Sequence, residues 1–500
     1  MRQWLSLILM IVLLAANGGC AGLHSHPTAA PEVPSQECAE YLARLDETTV
    51  KAGVRDASSF PVPGFPNLRT NRFLEALGER ALTPGQQAQW LHLMEQLDLQ
   101  ARSREIANLP AAALASVSPG LASPPTRNEL LAHVQSCSSA LLGQDENRAA
   151  VLAALRSAAR VPDEYSALAR ALGFFPISSI PVVLIGEHAN VRMKSWYAGG
   201  LENRPIQGKL EFFGPRDQPQ LSADAISKLL LASRQNPLRL PSLSEEQEHA
   251  LAQSLAPIFW QDVAASYDVP GRIVHDSGRP ELDPKQPTVY YYVSHAIVLD
   301  QAILQMNYVI WYAARAGKTP PWLEKGRLDG LTVRISLDTE GKPFMLDAMN
   351  NCGCYHFYVP RSGVVQGIRP TQASFSPLVP QWLPLMAAGQ RLGVRVNSGW
   401  HQVERVLALG GSTRATPYEL LPYASLESFR DTEGSTVSLF DARGIVRGSE
   451  RPERFVLFAM GIPSIGSMRQ RGHHAIDFTN PEHFDDPYLF DKHFIIEWIH

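Results

Sequence analysis

Cys352, Cys354 and His356 stand two residues apart in the segment Asn350-Asn351-Cys352-Gly353-Cys354-Tyr355-His356. In an extended strand that spacing puts all three side chains on one face. Thiolate and imidazole are preferred ligands of Zn²⁺ and Cu(I), so a zinc or copper site is one chemistry this segment offers. A straight strand spreads Cys352 and His356 over ~13 Å, so one metal needs a bend at Gly353 and ligands from elsewhere. A second chemistry is a Cys352–Cys354 disulfide, expected in an oxidising compartment. The third is thiol redox exchange, because a bridge across a single residue is strained and easily reduced. No Cys-x-x-Cys-His occurs, which excludes covalently attached c-type haem.

The other dense constellation is Met468-Arg-Gln-Arg-Gly-His473-His474-Ala-Ile-Asp477, followed by Glu482, His483, Asp485, Asp486, Asp491 and His493. Adjacent histidines on a strand face opposite ways, so only one of His473 and His474 can serve a given site. One reading makes His356, His473, His474 and Asp477 catalytic candidates. Cys354 or His356 would meet one of the paired histidines in a pocket, with Asp477 as base or supporting acid of a metal-dependent hydrolase. The plainer reading is a polar surface with one or two buried, hydrogen-bonded histidines. Other signatures are missing: there is no His-Glu-x-x-His, Ser464 in Gly461-Ile-Pro-Ser464-Ile-Gly466 lacks nucleophile-elbow spacing, and Gly317-Lys318-Thr319 has no phosphate-cradling loop before it.

These groups sit in a chain of 500 residues, 45% apolar and 19% charged, a balance that excludes intrinsic disorder. A net charge of −4 provides no global field for nucleic acid. At the N-terminus Arg2 precedes an apolar run from Trp4 to Ala16, about 20 Å of helix and short of a ~30 Å bilayer core. With Gly18 and Gly19 before Cys20, this stretch resembles the signal of bacterial lipoprotein precursors, although Asn17 stands where that family usually has leucine. The resemblance implies that residues 1–19 are removed and that Cys20 becomes the lipidated first residue. Ala21 and Gly22 lack the aspartate that often marks inner-membrane retention, so it further implies the outer membrane, facing the periplasm. Residues 20–37 read as a flexible tether. The five cysteines then divide into Cys20 as anchor, Cys38 with Cys137, and Cys352 with Cys354.

The elements that must position these groups follow from periodicity. Residues 38–175 are helical in pattern, with Thr83-Pro84 opening one helix and Trp90, Leu91 and Met94 on its apolar stripe. Residues 176–500 read as a larger domain. There Ile180–Ile185 and Gly208–Phe213 suggest strands, and Ser222 and Ser244 open helices, the second with a capping-box Gln247. Thr288–Val298, Ile303–Ala313, Leu331–Leu337 and Pro343–Met349 read as strands, the last two joined by a turn at Asp338–Gly341. His401–Leu409 is expected as a helix and Arg454–Met460 as an apolar strand. The fold class is therefore α+β: a helical N-terminal region, then a mixed, mainly antiparallel sheet domain.

The blocks Asp329-Gly330-Leu331-Thr332, Asn351–His356, Gly461–Ser464 and Met468–His474 are together similar to those of a group of uncharacterised bacterial envelope proteins. The likeness covers roughly the C-terminal half and implies no reaction or cofactor. The expectation is a lipid-anchored periplasmic protein with a binding or envelope-structural role, no nucleic-acid partner, and a protein or small-molecule ligand left open.

Overall fold

The computed structural model describes residues 35–117, 125–145, 149–216, 220–276, 278–370, 376–410 and 413–498. The signal segment, Cys20 and all but the end of the expected tether lie outside them. The helical region comprises α1 (Ser35–Ala52), a hairpin of β1 (Phe60–Val62) and β2 (Phe65–Thr70), then α2 (Arg72–Gly78), α3 (Pro84–Asn108) and α4 (Ala111–Ser116). It continues through α5 (Arg127–Asp145), α6 (Ala149–Ala158), α7 (Ala167–Leu172) and α8 (Phe175–Ala198). Thr83 and Gln86 cap α3 reciprocally, and Trp90, Leu91 and Met94 are buried as the stripe requires. Cys38 of α1 and Cys137 of α5 form the expected disulfide, closing a loop of 99 residues.

The larger domain is built on a ten-stranded sheet in the order β11-β10-β9-β8-β7-β15-β3-β4-β13-β14. In chain order its first members are β3 (Lys209–Pro215) and β4 (Ile258–Val263), separated by α9 (Ala223–Ser233) and α10 (Glu245–Leu255). A small hairpin, β5 (Arg272–Asp276) with β6 (Arg279–Asp283), precedes β7 (Thr288–Val298), β8 (Gln301–Arg315), β9 (Gly326–Leu337) and β10 (Pro343–Asn350). These four form an antiparallel meander that continues into β11 (Phe357–Pro360). After β12 (Val365–Ile368) come β13 (Arg391–Val396), β14 (Val403–Leu409) and β15 (Thr416–Pro422). Within this sheet, among the described residues, pairing is parallel only where β15 meets β7 and β3 and where β13 meets β4, so the sheet is mixed and mainly antiparallel. Short elements finish the chain: α11 (Ala424–Glu427), β16 (Phe429–Arg430), β17 (Thr436–Val437), α12 (Glu453–Val456), α13 (Leu489–His493) and β18 (Phe494–Ile496). The fold is α+β. No helix among the described residues is long and apolar enough to cross a membrane.

Three local expectations are corrected. Ile180–Ile185 lies inside α8, Pro181 included, and the helix leaves Ile177, Ile180, Leu184 and Val191 exposed while packing near β14 through Tyr197, whose hydroxyl donates to the Val403 carbonyl at 3.0 Å. Helix continuity has prevailed over the β-preference of a short β-branched run. His401–Leu409 is not a helix: its residues Val403–Leu409 form strand β14, which zips antiparallel onto β13. Arg454–Met460 is one helical turn followed by a 3₁₀ turn, not a strand.

The two regions are joined through buried polar contacts. The Gln470 amide donates to Asp56 Oδ1 at 2.9 Å and Glu427 Oε1 at 3.0 Å. Arg104 of the helical region lies 3.3 Å from the same Glu427 carboxylate, and Arg72 pairs with Asp485 at 3.1 Å.

Candidate functional site

The four sequence blocks converge behind the end of the meander. Asn351 donates its backbone N–H to the Gly330 carbonyl at 2.9 Å, and its side-chain oxygen accepts from the Thr332 hydroxyl at 2.7 Å. Its own carbonyl accepts from the Arg469 N–H at 2.9 Å. The chain turns at once: Gly353 N–H donates to the Asn350 carbonyl at 2.8 Å, and Asn350 N–H to the Cys354 carbonyl at 3.0 Å. Gly353 has φ +93°, and a Cβ there would lie 2.1 Å from the Ala475 carbonyl oxygen, so this turn requires glycine. The straight strand expected through Cys352–His356 is thus a tight turn.

Both Cys352 and Cys354 are free thiols, not the disulfide expected from their spacing, and they are in hydrogen-bond contact. That bond, together with the Arg315 and Arg451 guanidiniums, outweighs burial and draws the Cys352 thiol down to about 7. The Cys354 thiol is pushed up, by the same bond first and then by burial. The pair thus gives up its first proton readily and its second with difficulty.

The arginines belong to a buried ionic network. Asp329, at the start of β9, accepts from Arg315 Nε and Nη2 at 3.0 and 3.1 Å, from Arg451 Nη2 at 3.2 Å, and pairs with His401 Nδ1 at 2.8 Å. His401 Nε2 lies 3.1 Å from Asp268, and the ring stacks on Tyr312 with centroids 3.8 Å apart. Burial alone would raise the Asp329 carboxyl, yet Arg315 and Arg451 hold it well below the usual carboxylate range. Burial likewise opposes a charged His401, and Asp268 and Asp329 overcome it and raise its pKa. Arg315 Nη1 reaches Glu324 at 2.7 Å, and Glu324 also accepts from Trp400 Nε1 at 2.8 Å and the Tyr355 hydroxyl at 2.7 Å. Three carboxylates (Asp268, Asp329, Glu324) therefore face Arg315, Arg451 and His401, and the network is internally neutral when His401 is protonated.

In front of this network is a cavity of about 380 Å³, mainly apolar, with Cys354, Tyr355, His356, Glu324, Glu453 and Asp477 among its walls. Helix α8 covers one side through Val182, Ile185, Gly186 and Ala189. Glu453, in α12, is 8% exposed, and no described protein group hydrogen-bonds its carboxyl. Burial first, and then the nearby Cys352 and Glu324, push it up to about 8, so it is a neutral acid at pH 7. Gly466, φ +82°, makes room for it: a Cβ there would sit 1.8 Å from Glu453 Oε1.

The candidates from sequence separate. His356 faces the cavity, but its Nε2 is committed to Asp347 at 2.8 Å, which is itself bidentate with Arg334; burial, partly offset by Asp347, lowers its pKa. His473 is away from the cavity, bound by Glu164 at 2.7 Å and the Ala57 carbonyl at 2.6 Å. His474 is buried, and burial and Arg469 push it down to about 3, a neutral core imidazole. Neither paired histidine meets Cys354 or His356 in the cavity. Asp477 is on the wall, with Oδ1 occupied by the Thr479 N–H, the Thr479 hydroxyl and the Asn480 N–H at 2.6, 2.8 and 3.1 Å. Among the described residues no three His, Cys, Asp or Glu side chains are gathered to hold a metal, so the expected zinc or copper set of Cys352, Cys354 and His356 is not assembled. Glu453, Glu324, Arg315, Arg451, Asp268 and His401 were not singled out from sequence. Asp329-Gly330 alone carried a signal, as part of a recognisable block. Compared with protein families, curated proteins and solved structures, the chain matches none.

Proposed function

We propose that this is a lipoprotein of the bacterial outer membrane, held on the periplasmic side through Cys20, which binds a small uncharged ligand in the cavity beneath α8. Glu453 carries the reading: a neutral acid without a hydrogen-bond partner among the described residues, directed at a mainly apolar space, is a hydrogen-bond donor awaiting an acceptor. Glu324, Tyr355 and His356 on the wall are already paired, and Glu453 as donor favours a ligand with a carbonyl or ether oxygen on an apolar body. The Cys38–Cys137 disulfide supports an oxidising compartment.

The test uses the full chain carrying Cys20→Ala, purified without detergent, and methyl octanoate as probe in calorimetric titration. Saturable binding is expected. Ala189→Trp, which fills the cavity from α8, should weaken it at least about tenfold, equivalent to ~1.4 kcal/mol, with the unfolding temperature unchanged. Absence of binding, or equal binding by Ala189→Trp, overturns the ligand reading. In cells, Cys20→Ala should move the protein from the outer-membrane fraction to the soluble fraction, and retention in the membrane overturns the anchor.

A further inference from the structure

Two vicinal free thiols are an expensive thing to keep in an oxidising compartment, and their surroundings give them a direction. Cys354 lines the cavity, whereas Cys352 is 5% exposed and lies behind it, next to the arginine network. The turn at Gly353, closed by Gly353 N–H to the Asn350 carbonyl at 2.8 Å and Asn350 N–H to the Cys354 carbonyl at 3.0 Å, sets the two cysteines close together, so a bridge between them needs no large rearrangement of the chain. Glu453 stands near both sulfurs on the same wall.

We propose that Cys352 and Cys354 are a dithiol–disulfide exchange site whose substrate is a low-molecular-weight disulfide admitted through the cavity, with Cys354 as the attacking sulfur and Cys352 as the resolving one. This goes beyond ligand binding and does not depend on the identity of the uncharged ligand. In the first step Cys354 passes its proton to the Cys352 thiolate as its sulfur attacks one sulfur of R–S–S–R′. A Cys354–S–S–R bond forms, the substrate bond breaks, and R′S⁻ leaves with the electron pair and takes a proton from Glu453 or water. In the second step the Cys352 thiolate attacks the Cys354 sulfur. The Cys352–Cys354 bond forms and RS⁻ leaves, to be protonated in turn. The dithiol loses two electrons and two protons and the substrate gains both, so the exchange balances without another reactant. Arg315 and Arg451 favour the Cys352 thiolate, which takes the Cys354 proton in the first step and attacks in the second, and protonated Glu453 keeps a second negative charge out of the site.

The experiment uses the full chain with Cys20→Ala, incubated with oxidised glutathione and analysed by alkylation and peptide mass spectrometry. The expected product is one Cys352–Cys354 disulfide, reversed by reduced glutathione under conditions that leave Cys38–Cys137 intact. Cys352→Ser should trap a mixed disulfide between glutathione and Cys354 in the folded protein, at a level at least about tenfold above any adduct on Cys352 in Cys354→Ser. Circular dichroism establishes that both variants are folded, and the wild-type reaction needs no variant. The proposal is overturned if the wild-type thiols stay unmodified, or if Cys352 takes the glutathione in Cys354→Ser while Cys354 takes none in Cys352→Ser. Methyl octanoate binding is read separately, so failure of exchange and failure of ligand binding are distinguishable.

Discussion

Around Arg69, in the helical region, charge is fully answered by charge. Arg69 meets Asp98 at 3.1 Å and Glu105 at 2.9 Å, and Arg102 meets Asp98 at 2.7 Å and Asp46 at 3.0 Å. Around Arg315 the same materials are used, but the network ends at a cavity, and at its edge remain a neutral acid and two thiols, of which Cys352 feels the arginines. Burial of ion pairs is costly in both places. In the first the result is a closed lattice that fixes α3 against β2. In the second it fixes positive charge behind a reactive group and leaves a proton donor in front of it.

The comparison can be broken most forcefully at its acids. Asp329→Asn leaves Arg315, Arg451 and His401 facing one lost charge, while Asp98→Asn leaves Arg69 and Arg102. Each should cost ~3–5 kcal/mol in urea unfolding, with Asp329 the larger. A larger loss at Asp98 would show that the cavity-side network is the weaker of the two.

A smaller effect separates the leftover acid from its neighbours. The Glu453 pKa is raised on folding from 4.5 to about 8, so its contribution to stability is whole below pH 4.5 and is lost as pH rises through 8. Glu453→Gln should therefore match the wild type near pH 4 and exceed it by on the order of 3 kcal/mol near pH 8.5. Thermal unfolding across that range measures it, and parallel curves for the two proteins would mean that Glu453 is already ionised when folded. Smallest of all is Asp477→Asn, because an asparagine oxygen can accept from the same Thr479 and Asn480 donors. A change under ~0.5 kcal/mol is expected in chemical denaturation. A loss several times larger would give the Asp477 charge a role that its hydrogen bonds do not reveal.

Much of the frame was legible from local pattern. Capping at Thr83 and Ser244 and the paired strands of the meander rest on neighbours in the chain. Cys38 and Cys137 were pairable by counting. Local pattern misled where tertiary packing chose otherwise, in Ile180–Ile185 within α8 and in His401–Leu409 along β13. The site was legible only in part. Cys352 and Cys354 announce themselves, but His401 lies 133 positions from Asp268, and Glu453 sits just before a stretch, Arg454–Met460, that reads as an apolar strand. Spacing cannot reveal a partner brought by another strand, nor an acid whose importance is that none of the described residues pairs with it.

The bond between Gln470 and Asp56 spans 414 residues. A chain made from its N-terminus therefore exposes Asp56, Ala57 and Arg72 long before Gln470, His473 and Asp485 exist to cover them. The first helices can form early, but their polar seam closes only after nearly the whole polypeptide is present, a late and slow event by the ordinary rule for distant contacts. Loss of the final thirty or so residues would thus leave the opposite end of the protein unfinished.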